Sequence, residues 1–190
     1  MAFLLTAELD AEKRPHEAYR RYQAYLTSVR DTMPPGAYAL ATSDWYFNSE
    51  DHRAPHDAWL EALSIGEASL DASQPADQHR GVTITIRLLG AYHDAHLEFS
   101  YRDVSRYRLD FATPHHPRHP GHRDWRYDEF RLAPGGRVEH EIEWWGSRPT
   151  GTWLIEAADV EHRYLPLPEA SRASSSSRGS SISNPTSNER

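Results

Sequence analysis

The chain has 190 residues, no cysteine, and 28 acidic against 21 basic residues, for a formal charge of −7 with 12 histidines left neutral. Lack of cysteine excludes disulfides, thiol catalysis and cysteine-held zinc, and the negative balance disfavours nucleic acid and anionic membrane while favouring a basic partner. Mild acid works against that balance, because histidine titrates near pH 6.5.

Phe3 to Leu9 reads as a short opening strand without the basic start or apolar length of a signal peptide. Pro15 then stands where proline suits the first turn of a helix. Tyr19, Tyr22, Leu26, Val29 and Met33 recur at spacings of three and four and draw one apolar stripe down a helix over Pro15 to Met33. Pro34-Pro35-Gly36 reads as its stop. Ala37 to Phe47 reads as a strand ending in aromatic residues; after a polar loop, His56 to Ile65 fits a helix face through Trp59, Ala62 and Leu63 or a strand face through Trp59, Leu63 and Ile65, and the β-rich context favours the strand.

From Val82 to Val160 the pattern changes to strict alternation. Val82, Ile84, Ile86 and Leu88 face one way, with Thr83, Thr85 and Arg87 opposite, as on a strand with one buried and one wet face. Gly90 to Ala95 makes a tight reversal, and Leu97, Phe99 and Tyr101 mark the returning strand. Tyr107, Leu109 and Phe111 mark the next. Trp125–Leu132 and Val138–Trp145 form a hairpin across Ala133-Pro134-Gly135-Gly136-Arg137. Trp153, Ile155 and Ala157 begin the last long strand. Connections this short cannot be parallel crossovers, so the sheet is antiparallel. The predicted fold is α+β: an antiparallel meander of six or more strands, one face covered by a single long N-terminal amphipathic helix. A domain over residues 1–168 and a disordered Ser-rich tail over 169–190 complete the organisation, since the tail holds Ile182 as its one large aliphatic residue.

Several groups could carry chemistry. His115, His116, His119 and His122 fall within eight positions and could hold Zn or Ni, which supports a metal-dependent hydrolase or metal-binding protein as the second reading, with His93 and His96 as further candidates. Pro117 and Pro120 exclude a helical face there, so the simpler reading is a solvated loop. His140-Glu141-Ile142-Glu143-Trp144 begins like a zinc-protease motif but has Trp at the second histidine position and strand periodicity, so His140 reads as a hydrogen-bonded inward residue. Asp124, Arg126 and Asp128 read as one salt-bridged outer strand face. No nucleophile elbow, phosphate loop or dinucleotide fingerprint is present.

Leu89-Gly90-Ala91-Tyr92-His93-Asp94-Ala95, Tyr101-Arg102-Asp103-Val104, Tyr127-Asp128-Glu129-Phe130 and His140-Glu141-Ile142-Glu143 resemble strand sequences of small bacterial β-rich domains, some of them immunity proteins that neutralise polymorphic toxins. The resemblance covers about Trp59 to Val160. It implies a non-enzymatic acidic binder without cofactor, apt for masking a basic toxin. The expected function is therefore a cytoplasmic protein-binding domain with neither nucleic acid nor membrane as partner. If Val138, His140, Ile142 and Trp144 face the core, Trp145 either points outward among Glu139, Glu141 and Glu143, which names Trp145, Glu141 and Glu143 as the binding patch, or belongs to a bulge or folds under the Gly146–Gly151 turn.

Overall fold

The computed structural model describes residue 5, residues 15–69, residue 73 and residues 80–111, 121–146 and 149–168. Among the described residues, two helices, α1 (Pro15–Val29) and α2 (Pro35–Ala41), precede eight strands: β1 (Trp59–Ser69), β2 (Arg80–Leu89), β3 (Ala95–Val104), β4 (Arg106–Leu109), β5 (Asp124–Ala133), β6 (Arg137–Trp145), β7 (Pro149–Ala157) and β8 (Asp159–Pro166). All strands belong to one antiparallel sheet in the order β4-β7-β6-β5-β1-β2-β3-β8.

The order conceals a fold-over. β3 and β4 are one strand bent at Ser105, and β7 and β8 are one strand bent at Ala158. They pair with each other along their whole length, from Ala95 opposite Pro166 to Arg102 opposite Asp159, then from Arg106 opposite Glu156 to Leu109 opposite Trp153. At the corner Ser105 N–H donates to Glu156 O (2.9 Å) and Ala158 N–H to Arg102 O (3.0 Å). Two layers result, β1-β2-β3-β8 and β5-β6-β7-β4, and they meet again where Trp59 pairs with Asp124. The apolar faces therefore bury each other. Ile84, Ile86, Leu88, Leu97 and Phe99 from one layer share a core with Trp125, Phe130, Ile142, Trp144, Trp153 and Ile155 from the other. Trp144 meets Trp125 and Trp153 edge-on at centroid distances of 5.5 and 4.9 Å, contacts worth ~0.5–1.5 kcal/mol each beyond buried area.

This corrects the expectation of a helix covering one sheet face. The sheet covers itself, and α1 closes the open edge of β5. Tyr22 OH accepts from Phe130 N–H and donates to Phe130 O (3.0 Å each), and Tyr25 OH accepts from Leu132 N–H (2.6 Å). Tyrosine hydroxyls take the place of a neighbouring strand, satisfying backbone groups that would otherwise be buried unpaired.

The helix is also shorter than Pro15 to Met33. It ends at Val29, whose carbonyl accepts from Thr32 N–H, Met33 N–H and the Thr32 hydroxyl. Met33 is buried, but in the turn beyond the helix. Ala37 to Phe47 is not a strand: α2 starts at Pro35, and turns follow it. Pro35 is a first-turn residue here, and the missing N-cap is supplied by Asp159, whose carboxylate accepts from Gly36 and Ala37 N–H (2.9 Å each). Gly36 permits the seat, since a Cβ there would stand 2.2 Å from Val160 O. The opening strand over Phe3 to Leu9, Leu5 apart, and the tail over 169–190 lie outside the described residues. Among the described residues no helix is long and apolar enough to cross a membrane.

Candidate functional site

The outer face of β5, β6 and β7 carries the strongest concentration of like charge. Alternation on β6 sends Val138, His140, Ile142 and Trp144 inward, all essentially unexposed, and leaves Glu139, Glu141, Glu143 and Trp145 partly covered on the other side. Cross-strand register then sets Glu129 opposite Glu141 and Glu139 opposite Glu156. Like charges directly opposite on a sheet destabilise it. Cations answer part of this charge: Arg131 pairs with Glu129, and Arg106 bridges Glu139 and Glu156. Leu5 N–H also donates to Glu129 Oε2 (2.7 Å). Glu141 has no such ion pair among the described residues. Burial first, then Glu129, Glu143 and Glu139, push its carboxyl up to about 7, against a weaker downward pull from Arg108.

Trp145 closes one end of this face. It pairs with Asp124, and Asp124 in turn pairs with Trp59 of β1, so two tryptophans flank one carboxylate on three adjacent strands. Paired residues share a face and adjacent strands lie ~4.8 Å apart. Trp59 is 48% exposed and its indole N–H donates to Asp124 Oδ1 (2.9 Å). Among the described residues, three of the four non-glycine residues at positive φ adjoin this row: Asp57 (62°), His93 (55°) and Arg123 (73°). His93 lies over Trp59 at 4.7 Å, Arg126 is ion-paired to Asp57, and the Arg123 side chain lies beside Gly146. Sequence reasoning named Trp145 and missed Trp59 and Asp124 as its neighbours, because they lie 86 and 21 positions away and only tertiary pairing joins them.

Asp124, Arg126 and Asp128 do not share a face. A bulge between Trp125 and Tyr127 turns both Trp125 and Asp128 into the core. There Asp128 Oδ1 accepts from Trp125 Nε1 (2.9 Å), and Oδ2 accepts from Tyr46 OH (2.6 Å) and His140 Nε2 (3.0 Å). A carboxylate only accepts, so His140 carries its proton on Nε2 and Nδ1 accepts from Tyr101 OH (2.7 Å). Burial holds the His140 pKa below its ordinary value, opposed by Asp128, and raises those of Tyr46 and Tyr101. An Asp–His–Tyr chain of this kind can relay protons where a substrate reaches it. Here Asp128 and both rings of the chain are buried, so its role on this geometry is to orient the core.

The remaining histidines disperse. His115, His116 and His119 lie outside the described residues. His122 packs against Phe111, Trp153 and Trp144 at 4.3, 5.1 and 5.3 Å, and burial lowers its pKa. His93 sits on Trp59, while His96 Nε2 is 2.9 Å from Glu61. Among the described residues no three His, Asp or Glu side chains are grouped to hold a metal.

No family model, no curated protein and no solved structure matches this chain.

Proposed function

We propose that this chain is a non-enzymatic, cytoplasmic protein-binding domain that receives a basic partner on the outer face of β6, beside the buried Glu129 and Arg131 of β5, as an immunity protein receives a cationic toxin. The observation that carries the reading is Glu141, a partly buried carboxylate set opposite Glu129 with no ion pair of its own among the described residues. A lysine or arginine from a partner would relieve that repulsion, so binding and charge relief coincide. Trp145 and Trp59 beside Asp124 supply the aromatic contact area that interface anchors use.

The test titrates arginine-rich, lysine-rich and acidic peptides into the full chain at low and high salt, following tryptophan fluorescence. Basic peptides should bind with salt-sensitive affinity, and Trp145→Ala should weaken them by at least tenfold, ~1.4 kcal/mol. Equal binding of acidic and basic peptides, or affinity unchanged in both Trp145→Ala and Glu141→Gln, would remove the proposal.

A further inference from the structure

Among the described residues the sheet has three open edges, and they are not alike. β4 is four residues long and carries Arg106 and Arg108. β8 carries Glu161, Arg163 and Pro166, and α2 is seated at its start, clamped to Asp159 and pressed on the Val160 carbonyl. Charge, proline, shortness and a covering helix are the usual means by which a sheet edge is kept from pairing with another chain. Over Ala62 to Ala68 β1 has no proline, is not short, carries charge only near its end, and among the described residues has no covering helix. Beyond Trp59, no described residue pairs with β1 on the side away from β2. Glu67 is the one charged residue of that stretch, and Arg80 holds it at the hairpin tip, donating to Glu67 O (2.8 Å). Ile65 is 43% exposed although its partner across the ladder, Ile84, is fully buried. A Cβ added at Gly66 would meet nothing within 4 Å. This is a long edge with exposed apolar surface, where side chains reach the backbone at the Gly66 and Glu67 carbonyls, from the Thr83 hydroxyl (3.4 Å) and Arg80.

We infer that the free edge of β1 pairs antiparallel with β1 of a second copy of this chain, about a two-fold axis at Ile65. The sequence of the edge selects both the occupant and the register. Residues opposite one another must share a face, so a self-paired strand can centre on Ser64, Ile65 or Gly66 but not between them. Centring on Ser64 sets Glu61 against Glu67 of the partner, a like-charge pair, and centring on Gly66 sets Ile65 against Glu67 and Leu63 against Ser69, leaving no apolar side chain of β1 opposite another. Centring on Ile65 sets Ile65 against its own copy and Leu63 against the aliphatic stem of Glu67. On the opposite face Ser64 meets Gly66 and Ala62 meets Ala68, small residues against small, which allows close approach. Leu63, which already leans on the core, and Ile65 then form one continuous apolar strip with their symmetry mates. The inference is independent of the acidic face, which lies on β5 and β6.

The absence of cysteine makes the test direct. Sedimentation of the full chain from about 1 µM to about 1 mM should show a reversible monomer–dimer equilibrium, and Ile65→Lys should weaken it at least tenfold without changing the melting temperature. Under mild oxidation Ile65→Cys should cross-link to a covalent dimer, since directly opposed Cβ atoms on adjacent strands approach to ~4.5 Å, the upper end of the disulfide range, and an edge strand can close the remainder. Ala68→Cys, displaced from the axis, should not. A chain that stays monomeric throughout, a dimer indifferent to Ile65→Lys, or cross-linking through Ala68→Cys in preference to Ile65→Cys would each overturn the inference.

Discussion

Replacing Asp128 by Asn probes the polar centre of the core with almost no change of shape. The amide can keep its oxygen at the Oδ2 position, where Tyr46 OH and His140 Nε2 donate at 2.6 and 3.0 Å. Its NH2 group then faces Trp125 Nε1–H, which now bonds Oδ1 at 2.9 Å, so a buried acceptor is replaced by a second donor. Losing that bond with the donor still buried costs ~1–3 kcal/mol. Turning two charge-assisted bonds into neutral ones removes ~0.5 kcal/mol or more from each. The sum is ~2–4 kcal/mol, a large share of the ~5–15 kcal/mol that a domain of this kind possesses. Urea unfolding followed by tryptophan fluorescence reads it directly: with a slope of ~2 kcal/mol per molar, the midpoint should fall by about 1–2 M at unchanged slope. A loss below about 0.5 kcal/mol would show that Asp128 is reached by water and that the Asp128–His140–Tyr101 chain does not order the core.

Three further outcomes follow from the same structure. Glu141 binds its proton more tightly folded than unfolded, so its contribution is fully present below pH 4.5 and is lost as pH rises through about 7. Glu141→Gln should therefore be the more stable protein above pH 7, by ~1 kcal/mol or less after solvent screening, with the difference vanishing below pH 4.5; thermal melts that differ equally at both ends would refute this. His162, packed on Phe99 and Trp45 at 4.9 and 5.0 Å, has the opposite sign, because burial and then Arg53 lower its pKa from 6.5 to about 4. Its contribution is present above pH 6.5 and is lost as pH falls through about 4, up to ~3 kcal/mol, and His162→Gln should flatten that acid limb. Gly36→Ala should cost ~1–3 kcal/mol by forcing α2 away from the Val160 carbonyl, and an unchanged melting temperature would mean that α2 is not seated on β8.

Inward-facing residues of β2, β3 and β6 were legible in the sequence alone. Period-two alternation over Val82–Leu88 and Val138–Trp145 is a local property of extended backbone, and Gly135-Gly136 marks the β5–β6 reversal at positive φ, 81° and 76°. The apolar stripe of α1 was legible for the same reason, and Tyr22 and Leu26 are buried as it requires. Alternation could not say what the apolar faces meet, because that depends on the bends at Ser105 and Ala158 that fold the sheet onto itself. α2 was missed because its cap, Asp159, comes from more than a hundred residues away, and a proline-rich start without a local cap reads as a stop. Asp128 was assigned to the wrong face because a one-residue bulge reverses every later side chain on its strand. At the candidate site Trp145 and the glutamates were readable from β6 alone, while Trp59 and Asp124 joined them only through the β1–β5 pairing. The division is physical: period and turn chemistry act within a few residues, whereas strand order, distant caps and buried polar partners are settled by which chain segments meet.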